Sequence, residues 1–270
     1  MMFDDTAFLR ENVVDVDAAV VGISRRRWVH IAGPAPTEYE ALDLMGRHRF
    51  DVLPIVEGLE VIAYFETNTW GLYTSATRKS VTQADLIPFD VSISDVIRRL
   101  AIESRLFFFL CSHDNTPVGL ISVVNLNCRQ VQVYLFSLLC ELERRLADFI
   151  TRSAIPDSEL TAMFFSEAIR PKHRDLKTRY DNDRRNGLEL PIVEYLYLSD
   201  LVKIVRTKRL YTHLGFASGG TFGDAFGPLV TLRDSVAHPV TSLITEAGSV
   251  KRLWSALNQI LTVLPRLREA

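Results

Sequence analysis

The stretch LRDSVAHP, residues 232–239, sets an arginine, a carboxylate and a histidine close together, within about one and a half helical turns. Side chains of these types can break an RNA backbone without a metal. An imidazole that titrates near neutrality takes the proton of a ribose 2′-OH, and the freed oxygen attacks the adjacent 3′ phosphate. An acid then protonates the departing 5′ oxygen. A guanidinium grips two phosphate oxygens and stabilises the charge that builds on them. One histidine serves one side of an in-line displacement, so a second histidine is expected from a partner chain.

Spacing by itself selects little, because RRRWVH also sets Arg25 five places before His30, and Arg206 precedes His213 by seven. Context favours 232–239. Asp234 and His238 lie four positions apart, about 40° round a helix, so the carboxylate is expected to fix the imidazole tautomer or to favour its protonation. Arg233 stands about 140° from His238 and reaches a shared phosphate along a groove or by meeting the histidine of a second subunit. Pro239 is expected to stop the helix and leave His238 in the final turn, where unsatisfied carbonyls attract a cation. The alternative is a capped, salt-bridged helix end with no chemistry.

The rest of the chain must position these residues. At 270 residues, with 47% hydrophobic and 24% charged side chains, it has the length for two domains with cores of their own. The formal net charge of -2 excludes a surface coated in basic residues for indiscriminate nucleic-acid binding. Residues 1–135 carry 12 Lys+Arg against 17 Asp+Glu, the remainder 19 against 16. Much of the basic excess lies in RPKHRDLKTRYDNDRR, 170–185, so a polyanion is expected at the second half; His173 there reads as a solvated histidine or an RNA contact. Cys111, Cys128 and Cys140 have no paired spacing and read as reduced and mostly buried. The acidic start and the lack of a long apolar run predict a cytoplasmic protein without membrane attachment. The six histidines do not cluster with cysteines or carboxylates at metal spacing, so no zinc is expected.

The first half repeats itself. TEYEALDLMGRH (37–48) and SISDVIRRLAIES (92–104) are helical in pattern. DVLPIV and LFFFLC follow as strands, then a turn at Glu57–Gly58 or at SHDNTP, then LEVIAYF and VGLISVV. An offset of 55 lays Glu40 on Asp95, Leu42 on Ile97 and Met45 on Leu100, and the later strands match at 57. Each helix–strand–turn–strand unit is too small to bury its own sheet face, so the two are expected to pack together and enclose a cleft. The second half changes to helical period in 133–150, in 157–180 with an interruption near Pro171, in 191–211 and in 250–264. The glycines at 215, 219, 220, 223 and 227 read as a break between helices. An antiparallel bundle is expected.

Two resemblances follow from these residues. Residues 133–270 resemble the HEPN superfamily of helical ribonucleases and nucleotide-binding domains, whose mark is an arginine, a polar residue, about three more residues and a histidine at a helix end. RDSVAH supplies Arg233, Asp234 and His238. Residues 28–126 resemble a pair of CBS domains, a sensory module that often holds adenosine-containing ligands in its cleft. GLISVVN (119–125) matches its ligand segment through Gly119, Ser122 and Asn125, with asparagine where aspartate is commoner, while VIAYFETN in the first repeat lacks the glycine. The resemblance implies an α/β tandem CBS (Bateman-type) module followed by an all-α HEPN-like bundle, laid out as an extension over 1–27, a sensory module over 28–130 and a bundle over 131–270. It implies a metal-independent endoribonuclease acting on RNA as a homodimer, with Arg233, Asp234 and His238 catalytic and no cofactor required. An adenine nucleotide at Ser122 and Asn125 is the implied regulatory ligand. The alternatives are a regulatory module that binds nucleotide or RNA without cutting, and a dimerising structural adaptor. Glu141, Glu143 and Glu194 are spaced as helix-surface carboxylates, any of which is placed to hold Arg233, and Tyr195, Tyr197 and Tyr211 read as core or interface aromatics.

Overall fold

The computed structural model describes residues 15–33, 35–58, 60–165, 171–238, 242–246 and 248–269. They divide into two compact units, one built from the chain up to residue 134 with the described part of 239–254, the other from 135–238 with the end of the chain. The first is mixed α/β and the second helical. No helix among the described residues is long and apolar enough to cross a membrane.

In the mixed unit the elements run α1 (Ala18–Val21), β1 (Ile23–Ser24), β2 (Ile31–Ala32), α2 (Glu38–His48), β3 (Val52–Glu57), β4 (Glu60–Thr69) and β5 (Leu72–Ser80), followed by β6 (Leu86–Pro88), α3 (Ile93–Ile102), β7 (Phe107–Cys111) and β8 (Pro117–Ser122). They make two four-stranded sheets, ordered β2-β3-β4-β5 and β1-β8-β7-β6. The sheets have one plan: β2 lies parallel to β3 as β6 does to β7, and β4 returns antiparallel to β3 as β8 does to β7. Within the region expected as an N-terminal extension, β1 pairs antiparallel with β8.

The offset of 55 is visible in local chemistry. Thr37 caps α2 by accepting from the Glu40 N–H, and Glu40 reaches back to the Thr37 N–H at 2.8 Å. At the repeat-related positions, Ser92 caps α3 by accepting from the Asp95 N–H at 3.2 Å. Such caps satisfy donors that would otherwise be unpaired in the first turn. Past each helix the chain turns through a left-handed residue, Arg49 at φ 57° and Ser104 at φ 54°. Val52, Val56, Val61 and Tyr64 of one sheet then pack with Phe107, Phe109 and Leu120 of the other, Tyr64 meeting Phe107 edge-on at 5.1 Å.

One strand breaks the symmetry. The first repeat continues into β5, which pairs with β4 along most of its length after a tight turn at Gly71, φ 73°. The outward N–H of Ala76 on this edge strand donates to Glu38 of α2 at 3.0 Å, so a helix carboxylate occupies part of an edge open to stray pairing.

The helical unit holds most of α4 (Arg129–Arg152), then α5 (Asp157–Phe165), α6 (Pro171–Arg185), α7 (Leu198–Thr207), α8 (Gly219–Ala237) and most of α9 (Ser249–Glu269). Two expectations need correction. The helix expected over 191–211 is a short 3-10 turn at Ile192–Tyr195, an extended Leu196 and then α7. The glycines at 219, 220, 223 and 227 do not break the chain but lie inside α8, which also contains Pro228. Phe222, Phe226, Leu229, Leu232 and Val236 form a buried stripe that outweighs the low helix propensity of glycine, about 1 kcal/mol per residue. A Cβ at Gly219 would approach Arg206 Cγ to 3.3 Å, so the missing side chain also allows close packing.

Because Phe109 is fully buried between the sheets, Phe109→Ala should lower the unfolding free energy by about 3–5 kcal/mol. Denaturant titration followed by far-UV circular dichroism measures this.

Candidate functional site

Helix α8 carries the arginine–histidine pair and its N-terminus is built from local chemistry. Ser218 accepts from the Thr221 N–H at 3.1 Å while the Thr221 hydroxyl accepts from the Ser218 N–H at 3.2 Å. The apolar stripe then fixes the rotation of the helix. Arg233 is left half-buried, with Asp234 and His238 exposed. His238 is the residue after the last helical turn, with φ -111° and ψ 87°. Pro239, expected to stop the helix, lies outside the described residues.

Asp234 bridges the two basic groups differently from expectation. Its backbone carbonyl, not its carboxylate, meets the imidazole: His238 Nδ1 lies 2.8 Å from Asp234 O. A carbonyl only accepts, so Nδ1 carries the proton and Nε2 is the nitrogen that gains or loses one. The Asp234 side chain is 68% exposed, with Oδ1 3.8 Å from Arg233 Nη1. This is a loose ion pair worth little in water.

Arg233 is held from two other helices. Its Nε donates to Glu143 Oε1 of α4 at 3.1 Å, and its guanidinium carbon lies 5.8 Å from the ring centre of Tyr197, the N-cap of α7. Of the three glutamates considered, the structure selects Glu143. Glu141 is no surface carboxylate: it is 8% exposed and accepts from Arg144 Nε and Nη2 at 3.0 and 2.9 Å and from Arg145 Nε at 2.7 Å. Glu194 lies in the field of Arg144. Tyr197 is exposed at the start of α7 rather than in the core, and no spacing rule connects either it or Glu143 to Arg233.

Other expectations shift as well. His173 is not solvated; it is buried, with Nε2 3.1 Å from Asp200 Oδ1 and its ring edge-on to Phe164 at 5.4 Å. An amphipathic helix puts one face inward regardless of the charge of its neighbours, and His173 shares the buried face of α6 with Leu176 and Tyr180. Cys111 is buried, but Cys128 is partly exposed and Cys140 exposed. The Cys140 thiol is pushed up from its ordinary range by local burial and by Glu143. Tyr195 is buried and donates to Asp183 at 2.8 Å, and Tyr211 packs near Phe222 with 6.4 Å between ring centres.

Ser122 and Asn125 meet in the mixed unit. The Ser122 N–H and hydroxyl both donate to Asn125 Oδ1, at 2.8 and 2.9 Å. Both residues line a cavity of about 300 Å³ with Trp28, Val52, Leu120 and Arg49 among its walls. The asparagine oxygen is spent on the turn that caps the following 3-10 helix, leaving its amide donors for a ligand.

The repeat-related cleft has another character. Tyr64 and Phe107 line it beside an ion-pair network, in which Arg105 meets Asp85 at 2.5 Å and Lys79 meets Glu66 at 2.5 Å. Burial raises the Asp85 carboxyl, but hydrogen bonds from Thr82 and Arg105 outweigh it and leave it below the usual range. Burial and the neighbouring Asp85 push the Tyr64 hydroxyl up to about 12.

No family model and no curated protein matches the chain. The chemistry of its sites therefore rests on their own geometry.

On the same helix as Glu143, burial raises the Glu141 carboxyl, while Arg144 and Arg145 lower it by more, so it titrates below the usual glutamate range. A depressed carboxylate stabilises the fold above its unfolded pKa of about 4.3, and that contribution is lost as pH falls through the folded value. Urea midpoints should therefore drop more for the native chain than for Glu141→Gln between about pH 5 and pH 3.

Proposed function

We propose that the chain is a metal-independent endoribonuclease, with His238 Nε2 as the general base and Arg233 as the phosphate-binding group. The observation that carries this reading is the bond from His238 Nδ1 to the Asp234 carbonyl. It orients the ring from the main chain and leaves Nε2 without that partner at an exposed helix end. There Nε2 takes the 2′-OH proton, and O2′ attacks the adjacent phosphorus as the 5′ oxygen leaves. Arg233 spends Nε on Glu143 and points its remaining donors at the phosphate, where they stabilise added charge. The Tyr197 face beneath the guanidinium supports it without competing for those donors. The proton for the 5′ oxygen comes from the imidazolium of a second copy, so the active form is a homodimer that binds RNA.

The cavity beside Ser122 and Asn125 favours a second role, that of a nucleotide-responsive module. Trp28 offers an aromatic wall to a base, and Arg49 a cation for phosphate. The ligand in this reading is an adenine nucleotide that regulates cleavage.

Purified protein in excess chelator should cut RNA and leave a 2′,3′-cyclic phosphate, and DNA should resist. His238→Ala should lower the rate by about 10²–10⁴-fold with an unchanged circular dichroism spectrum. Asp234→Asn should keep activity within about tenfold, because the backbone carbonyl survives the change. Full activity in His238→Ala rejects the assignment. Calorimetry with adenine nucleotides should give heat that Trp28→Ala removes, and no heat from the native chain rejects the sensory role.

A further inference from the structure

The helical unit contains a second cavity, of about 330 Å³, that shares no residue with the Arg233–His238 site. Its apolar wall is made by Ile150, Ile155, Leu160 and Val193, and its mouth carries two opposite charges, Arg184 and Glu189.

A chain of hydrogen bonds fixes the cation. Asp157 spends both oxygens: Oδ1 accepts from the Ile192 N–H at 3.0 Å and Oδ2 from the Tyr180 hydroxyl at 2.8 Å. With its proton committed to Asp157, the Tyr180 oxygen accepts from Arg184 Nη1, also at 2.8 Å. The guanidinium carbon lies 5.5 Å from the centre of the Tyr180 ring. That ring is wedged edge-on against Tyr195 at 5.4 Å and lies 5.8 Å from Phe165. Arg184 is thus oriented by a buried tyrosine although it sits at the surface. Its bond to Tyr180 uses Nη1, and among the described residues no acceptor meets the Nε–Nη2 edge. That edge presents two parallel N–H groups, the geometry that binds a carboxylate through both oxygens.

From this arrangement we infer a binding site for a free α-amino acid with an apolar side chain. The carboxylate lies on the Nε–Nη2 edge of Arg184, the ammonium faces Glu189, and the side chain fills the Ile150–Leu160–Val193 wall. Size agrees with this class. The cavity is at the bottom of the range of about 300–1,000 Å³ for small-molecule sites, ample for one amino acid. Each charge adds selectivity for a zwitterion, because losing either leaves one end of the amino acid without an opposite charge at the rim. The inference does not depend on RNA cleavage, since it uses other residues and a different ligand chemistry.

Calorimetry and thermal-shift assays on the full chain test it with L-leucine, L-phenylalanine, glycine and isoamylamine, which lacks the carboxylate. Leucine or phenylalanine should bind at about millimolar concentration and raise the melting temperature, with glycine and isoamylamine failing to do so. Arg184→Gln and Glu189→Gln change exposed side chains. The first should weaken binding about tenfold or more and the second by a few-fold. Absence of heat and of any shift with both apolar amino acids overturns the site. So does binding that survives Arg184→Gln undiminished, or equal binding of glycine and leucine, which would leave the apolar wall without a role.

Discussion

Everything in the mixed unit depends on two small sheets covering each other. A four-stranded sheet with one helix over it still has a bare apolar face, and the ends of β3 and β7 cannot tolerate water there. The layer formed by Val52, Val56, Val61 and Tyr64 against Phe107, Phe109 and Leu120 removes that exposure for both repeats at once. A second cluster, in which Ala41 and Met45 of α2 meet Leu53, Ile55 and Phe65, covers the opposite face of the first sheet. The cavity beside Trp28 and the cleft beside Tyr64 both draw walls from this shared layer, since Val52 and Leu120 line one and Tyr64 and Phe107 the other. Their contrasting contents come from the residues placed around the rim. One rim carries Ser122 and Asn125, the other a ring of ion pairs.

Where local chemistry and hydrophobic period agreed, the sequence was readable. Thr37 with Glu40 and Ser92 with Asp95 announce helix starts on their own, and VLPIV and FFFLC, short β-branched or aromatic runs with a turn after each, read as buried strands. The offset of 55 tied these signals together. Strand β5 is illegible because LYTSATRKS has no strong apolar alternation; within it only Tyr73, Ser75 and Ala76 are even partly buried, and Ala76 is held by a glutamate 38 residues earlier. Helix α8 was misread at its start for the opposite reason. Its run of glycines points to a break, whereas the stripe led by Phe222 and Phe226 is buried and holds the helix together.

The arginine–histidine pair shows the same divide. The residues were legible as a motif, and the exposure of His238 follows from its place at the end of an amphipathic helix. The partners were not. Glu143 lies 90 residues from Arg233, and Tyr197, just past the extended Leu196, meets the guanidinium from the start of a third helix. Asp234 was assigned by side-chain type, although the backbone makes the contact that matters. A position four residues before a histidine at a helix terminus offers a carbonyl whatever its side chain, since the last four carbonyls of any helix lack intrahelical donors.

Arg49 and Ser104 hold left-handed backbone at equivalent places in the two repeats, yet neither is glycine, the residue that adopts this conformation at least cost. Two unrelated side chains have accepted the same strained corner, while the cleft linings around them have diverged almost completely. The shared corner gives both repeats the same hand-off from helix to strand. Around it each cleft keeps a rim of its own, so a ligand suited to one has no reason to suit the other.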